Sequence, residues 1–134
     1  MGKYENLLKT VLAIFGTSAW IAESIKTYPQ NFIGVSLGNE YIRVHVLPSG
    51  RGLDLKSASG QVIIDVFTPA GDGPVRAALI ADRLDAYLLG KSFAASTATV
   101  QFDKTSSFSP VGLDKGNAAL FKSIFTIPFN LFGV

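Results

Sequence analysis

The stretch QVIIDVFTPAGDGPVRAALIADRL (Gln61–Leu84) decides how the chain is read. Its first nine residues, QVIIDVFTP, are rich in β-branched side chains and read as a strand closed by Pro69, which brings no N–H to a ladder. AGDG then turns the chain, and Pro74 opens a helix, since proline at the first helical position loses no hydrogen bond and presets φ. Asp72 or Gly73 is available as the cap. Ala77, Ile80, Ala81, Leu84, Tyr87 and Leu88 fall on one helical face, and Gly90 is a natural stop. A strand, a glycine-rich turn and a helix in that order raise the question of a phosphate cradle. The turn argues against one. Asp72 puts a carboxylate where an anion would sit, Pro74 removes an N–H from the helix start, and neither G-x-G-x-x-G nor GK[ST] occurs in the chain. The turn reads as a strand-to-helix corner, with Arg76 the nearest cation.

Upstream, YIRVHVL (Tyr41–Leu47) alternates cleanly: Ile42, Val44 and Val46 point one way, and Tyr41, Arg43 and His45 the other. Between the two strands lies SGRGLDLKSASG (Ser49–Gly60), a loop by composition, so the pair reads as a long-armed hairpin. Near the start of the chain, Tyr4, Leu7, Leu8, Val11, Leu12 and Phe15 form the stripe of an amphipathic helix that ends near Gly16. Thr17–Asn39 shows no sustained period and reads as a connector with at most a short strand or helical turn. Downstream, TATVQFD (Thr97–Asp103) alternates as a third strand, and KTSSFSPVGLDKGN is turn-rich with room for a short strand. AALFKSIFTIPFNLF (Ala118–Phe132) reads as the last strand, kinked or ended by Pro128. The expected fold is α+β: a mainly antiparallel β-sheet with two amphipathic helices packed on one face, in a single domain spanning residues 1–134.

Composition narrows the function classes. Of 134 residues 48% are hydrophobic, against only 16% charged, and ten are Phe. Two readings stay open: a generous monomeric core, or an apolar surplus that faces another subunit. The net charge of +2 comes from charges scattered singly, so no basic stripe supports specific nucleic-acid binding. The absence of Cys removes disulfides, thiolate metal sites and a Cys nucleophile, and suits a reducing cytoplasm. Leu7–Ala22 is apolar enough to suggest a signal peptide or membrane span. Lys9, Glu5 and the polar residues within it break the pattern, and no uncharged apolar run reaches membrane-spanning length.

Candidate sites are few. His45 is the one histidine, with Arg43 beside it, and no G-x-S-x-G accompanies it. Asp65 is expected to be solvated or paired across strands with Arg43 or His45. Asp82 and Asp85 are helix neighbours that Arg83 and a solvated face account for. No catalytic, cofactor-binding or metal-binding residue is expected; with one His and no Cys, a zinc site would have to be mostly carboxylate. The loop is the most suggestive feature. It exceeds a usual hairpin connection of about two to five residues, and Arg51, Leu53, Asp54, Leu55 and Lys56 within it form a candidate partner-contact set.

EYIRVHVLPSG, the loop, and GQVIIDVFTPAGDGPVRAALIADRLDAYL together resemble the tail terminator family of long-tailed bacteriophages. The resemblance rests on Leu47-Pro48, Pro69-Ala70-Gly71-Asp72-Gly73 and Ala81-Asp82-Arg83-Leu84, and covers roughly Glu40–Leu88. It implies a homo-oligomeric, typically hexameric ring that caps the finished tail tube, ends its polymerisation and offers a head-side joining surface. The implied partners are the tail tube protein and a head-completion or connector protein, with DNA passing through the lumen unread. The implied place is the virion tail, assembled in the host bacterial cytoplasm, with no membrane and no cofactor. Arg51 and Lys56 would face partner acids or passing phosphates. Other head–tail joining or minor tail roles, a small enzyme using His45 with Asp65, and a nucleic-acid module using the loop cations are the alternatives.

Overall fold

A computed structural model describes residues 3–23, 25–29, 40–48, 58–69, 71, 73–94, 98–113 and 120–133. Among the described residues ten elements follow one another: α1 (Lys3–Ile14), α2 (Ser18–Ile21), β1 (Thr27–Pro29), β2 (Tyr41–Pro48), β3 (Ala58–Pro69), α3 (Gly73–Leu88), β4 (Ser92–Ala94), β5 (Ala98–Phe102), β6 (Ser107–Leu113) and β7 (Leu120–Gly133). The seven strands form one sheet in the order β1-β2-β3-β7-β5-β4, with β6 also paired to β7. Every pairing is antiparallel except β1 with β2. The expected α+β architecture is therefore the one observed.

Alternation decides which side chains face the helices. Ile42, Val44 and Val46 of β2 and Val62, Ile64 and Val66 of β3 join Phe125, Ile127, Phe129 and Leu131 of β7 on one side of the sheet. Leu7, Val11 and Ile14 of α1 and Ala77, Ile80, Ala81, Leu84 and Leu88 of α3 pack over them in one buried cluster. Burying a side chain of this size contributes about 1.5–3 kcal/mol, so this layer dominates stability. The α3 face matches the expected one, with Tyr87 half-buried at its margin, and Gly90 ends the helix at φ +68°.

Several boundaries differ from the sequence reading, each for a local reason. The stripe of α1 is rotated: Thr10 is buried at 7% exposure, whereas Leu8 and Leu12 lie on its flank at 40% and 37%. Gly16 does not take a left-handed cap; the helix tightens through Phe15 N–H to Leu12 C=O and Gly16 N–H to Ala13 C=O instead. β3 begins at Ala58, inside the stretch read as loop, because Ala58 and Ser59 pair with Leu131 and Asn130 of β7 beyond the end of the hairpin.

The connector holds two short elements. Thr17 caps α2 through its hydroxyl and the Trp20 N–H, and β1 runs parallel to β2. Residues 30–39 lie outside the described part.

β4 was not expected at all. β5 and β6 act as one interrupted strand along β7: Phe102 pairs with Phe129 and Ser107 with Thr126, with residues 103–106 looped out between. That gap explains why β7 continues through Pro128. In an extended strand the N–H and C=O of one residue point the same way, and the Pro128 carbonyl accepts from the Asp103 N–H at 3.0 Å. The donor that Pro128 lacks thus faces the interruption, where no ladder bond is lost.

Candidate functional site

Three places gather polar or apolar groups beyond the core. The first is the corner after β3. Gly71 sits at φ +104°, and α3 starts at Gly73 with Pro74 exposed; Asp72 lies outside the described residues. Arg76 does not turn toward the corner as an anion donor. Its Nε and Nη2 donate to the two oxygens of Glu40 at 2.6 and 2.8 Å, a planar fork on a carboxylate. That hydrogen bond, more than the charge attraction, raises the guanidinium above its ordinary pKa against the opposing effect of burial. The pair ties the entry of β2 to the first turn of α3.

The second lies on the sheet face opposite α1 and α3. His45 Nε2 stands 2.9 Å from Asp65 Oδ2. Asp65 is therefore paired with His45, one of the two partners that alternation suggested. Arg43, directly opposite Asp65 in register, leaves its buried Nε without a hydrogen bond. Its guanidinium lies 5.9 Å from the Tyr41 ring centre, and the Lys122 ammonium lies 5.9 Å from that of Phe67. Between them Tyr41 and Phe67 stack at 4.5 Å. Two cations thus cap an aromatic pair that Leu120 and Tyr28 complete as a small second cluster. Chemically this face can bind acidic or aromatic groups; among the described residues Asp65 is the one hydrogen-bond partner of the His45 ring.

The third is a groove between the end of α1, α2 and β1, which sequence reasoning missed. One part, about 280 Å³, is lined by Phe15, Trp20, Ile21, Ile25, Lys26 and Thr27. A second, about 220 Å³, shares Phe15 and Thr27 and continues to Leu12, Tyr28 and Val44. Trp20 forms its rigid wall. The indole packs edge-on against Phe15 at 5.3 Å and Tyr87 at 5.2 Å, and its N–H donates to the Thr27 hydroxyl at 2.8 Å. That hydroxyl donates onward to the Ile25 carbonyl, so the polar groups of the wall are satisfied; the part that reaches Leu12 and Val44 is mainly apolar, and the part that reaches Lys26 is mixed. The lone Trp inside an aperiodic segment is the sequence signal that marks this place.

Asp85 accepts from the Ser106 hydroxyl at 2.6 Å, and Arg83 reaches Glu23 at 3.7 Å rather than its aspartate neighbours. Among the described residues no cluster of His, Asp and Glu could hold a metal ion, and no helix is long and apolar enough to cross a membrane. Arg51, Leu53, Asp54, Leu55 and Lys56, the partner-contact set read from the loop, lie outside the described residues.

No protein-family model matches this chain. No curated protein matches it either. A solved structure that carries no functional description is similar in fold: the superposition covers 92% of this chain and 94% of the other, with a TM-score of 0.70 at 20% identity. At that identity the likeness establishes a shared fold across nearly the whole of both chains.

Proposed function

We propose that this protein is an assembly subunit of the tail-terminator kind, whose copies close into a ring on the end of a phage tail tube, stop its growth and present a joining surface to the head. The observation that carries the reading is an apolar surplus outside a core that is already filled. Leu8 and Leu12 on α1, Ile21 on α2, and Val75 and Leu79 on α3 are all exposed. Side chains of this kind on a small domain are what heterologous neighbour contacts cover. The strand–loop–strand–turn–helix signature of Glu40–Leu88 supplies the resemblance to the family, and its fold is compatible with that assignment. The tail tube protein, a connector or head-completion protein and DNA in the lumen are the partners this role calls for.

The test is electron microscopy of tails assembled with and without the protein, combined with light scattering of the purified chain. Tubes of uncontrolled length in its absence, and rings in its presence, are expected. Tubes of unchanged length together with a strictly monomeric protein would remove the reading.

The His45–Asp65 contact favours a second reading, a small acid–base enzyme. In it Asp65 would orient the imidazole and His45 would move a proton. It is the weaker one, since a cross-strand pair on a sheet also forms for packing alone. His45→Gln separates the two: assembly untouched and a turnover lost would favour the enzyme.

A further inference from the structure

Resting on the ring reading, we propose that the groove of one copy receives the solvent-facing stripe of α3 from a second copy, with Lys26 at the groove meeting Asp82 on the stripe. The stripe is apolar where a lone molecule has no use for it. Val75 is 78% exposed and Leu79 42%, four residues apart on one helical line, and Asp82 continues that line three residues later. This is the i, i+4, i+7 spacing by which a helix lays anchors into a groove. The receiving surface is concave and of matching scale, apolar in the lobe that reaches Leu12 and Val44 and mixed in the lobe that reaches Lys26; the lobes, of about 220 and 280 Å³, each have room for one aliphatic side chain. Ile21, itself 64% exposed, and Leu12 stand where the incoming residues would cover them.

Charge selects the orientation. Lys26 is exposed at the groove and Asp82 is exposed on α3; neither has an ion-pair partner among the described residues. The neighbouring charges are already occupied. Arg83 holds Glu23, Arg76 holds Glu40, Lys9 holds Glu5, and Asp85 accepts from Ser106. Lys26 and Asp82 are therefore free to meet across a contact.

The edges of the sheet point the same way. β1 ends at Pro29, β4 has three residues, and β6 carries Pro110 and a bulge before Gly112. Edges blunted by proline, shortness and bulges resist strand-to-strand joining, which leaves side-chain docking as the route to association. Groove and stripe are different surfaces of the same chain, so the contact is head-to-tail and propagates until rotation closes it into a ring.

The experiment measures the mass of the full chain by sedimentation equilibrium over a wide concentration range, for the natural sequence, for Val75→Glu with Leu79→Glu, for Lys26→Glu, for Asp82→Lys, and for the last two combined. Circular dichroism checks that each variant is folded. The double glutamate variant is expected to weaken association about a hundredfold, because it drives charge into a groove with an apolar lobe. Each single charge reversal should weaken it about fivefold, and the combined swap should restore it. Association of the natural chain that none of these changes moves would overturn the groove–stripe contact while leaving the ring intact. A natural chain that stays monomeric at every concentration would overturn the contact in solution; rings seen by microscopy on tail tubes in that case would spare the ring reading alone.

Discussion

Gly60 lies against the carbonyl of Leu47 so closely that a β-carbon there would overlap that oxygen and stand 2.8 Å from the Pro48 Cα. Both neighbours are backbone, and the Leu47–Gln61 and Pro48–Gly60 pairs at the mouth of the hairpin hold them in register. A side chain at this position must push β2 and β3 apart.

Gly60→Ala is therefore expected to cost about 2–3 kcal/mol, at the upper part of the usual overpacking range. Gly71→Ala is the matched control. It meets no atom within 4 Å and carries only the strain of φ +104°, which costs about 1–2 kcal/mol. Urea unfolding of the two variants should rank Gly60→Ala as the more damaging, and the reverse order would show that the hairpin mouth can open freely.

Ser123 faces the helices between Val66 and the core of β7, fully buried, with a hydroxyl that has no hydrogen-bond partner. An unsatisfied buried hydroxyl is a net cost. Ser123→Ala should raise stability by about 1 kcal/mol, read as an increased urea midpoint at unchanged slope. A loss of stability would mean that the hydroxyl is bonded in solution.

Tyr87 links α3 to the α2 region through its one phenolic O–H, shared between the Ala19 carbonyl and the Glu23 carboxylate. Desolvation, then the Glu23 bond and its charge, raise the phenol above its ordinary pKa near 10. The folded state thus holds this proton more tightly than the unfolded one. Its contribution is complete below about pH 10 and drains away as pH rises through the alkaline range. Tyr87→Phe should lose stability at neutral pH and show a shallower alkaline decline than the natural chain. Parallel declines for the two proteins would assign the alkaline loss to other groups.

Much of this architecture was legible before any coordinates, and the exceptions have physical causes. Period-two alternation in Tyr41–Leu47 sorted its side chains into the two faces the structure shows because that strand lies within the sheet, with helices on one side only. The α3 face was legible because its apolar residues keep one period from Ala77 to Leu88. β4 was not, and α2 and β1 were legible only as a short strand or helical turn in the connector, since elements of three or four residues carry no period and are held by Trp20, Tyr87 and neighbouring strands. Pro128 looked like a stop because sequence cannot reveal a partner strand interrupted opposite it. Of the site, the Asp65–His45 pairing was foreseeable from opposed alternation. The groove was not, because it is made by three elements whose contacts are all tertiary.

β6 was legible only as room for a short strand, because Pro110 and Gly112 interrupt its pattern, and those two residues carry the last prediction. The strand pairs with β7 along one edge only, and its register shifts between Pro110 and Gly112, where Gly112 takes φ +128°. The strand also carries exposed Val111 and Leu113, at 58% and 60%. A regular, apolar, unpaired edge invites joining by foreign strands, and a proline with a bulge is a common guard against it. Pro110→Val removes the guard while keeping an apolar residue at an exposed position. The variant should unfold within about 0.5 kcal/mol of the natural chain, yet scatter more light and bind more thioflavin on prolonged incubation at equal concentration. If it stays as clear as the natural chain, the bulge at Gly112 is protection enough, and the proline serves the turn of the strand rather than its edge.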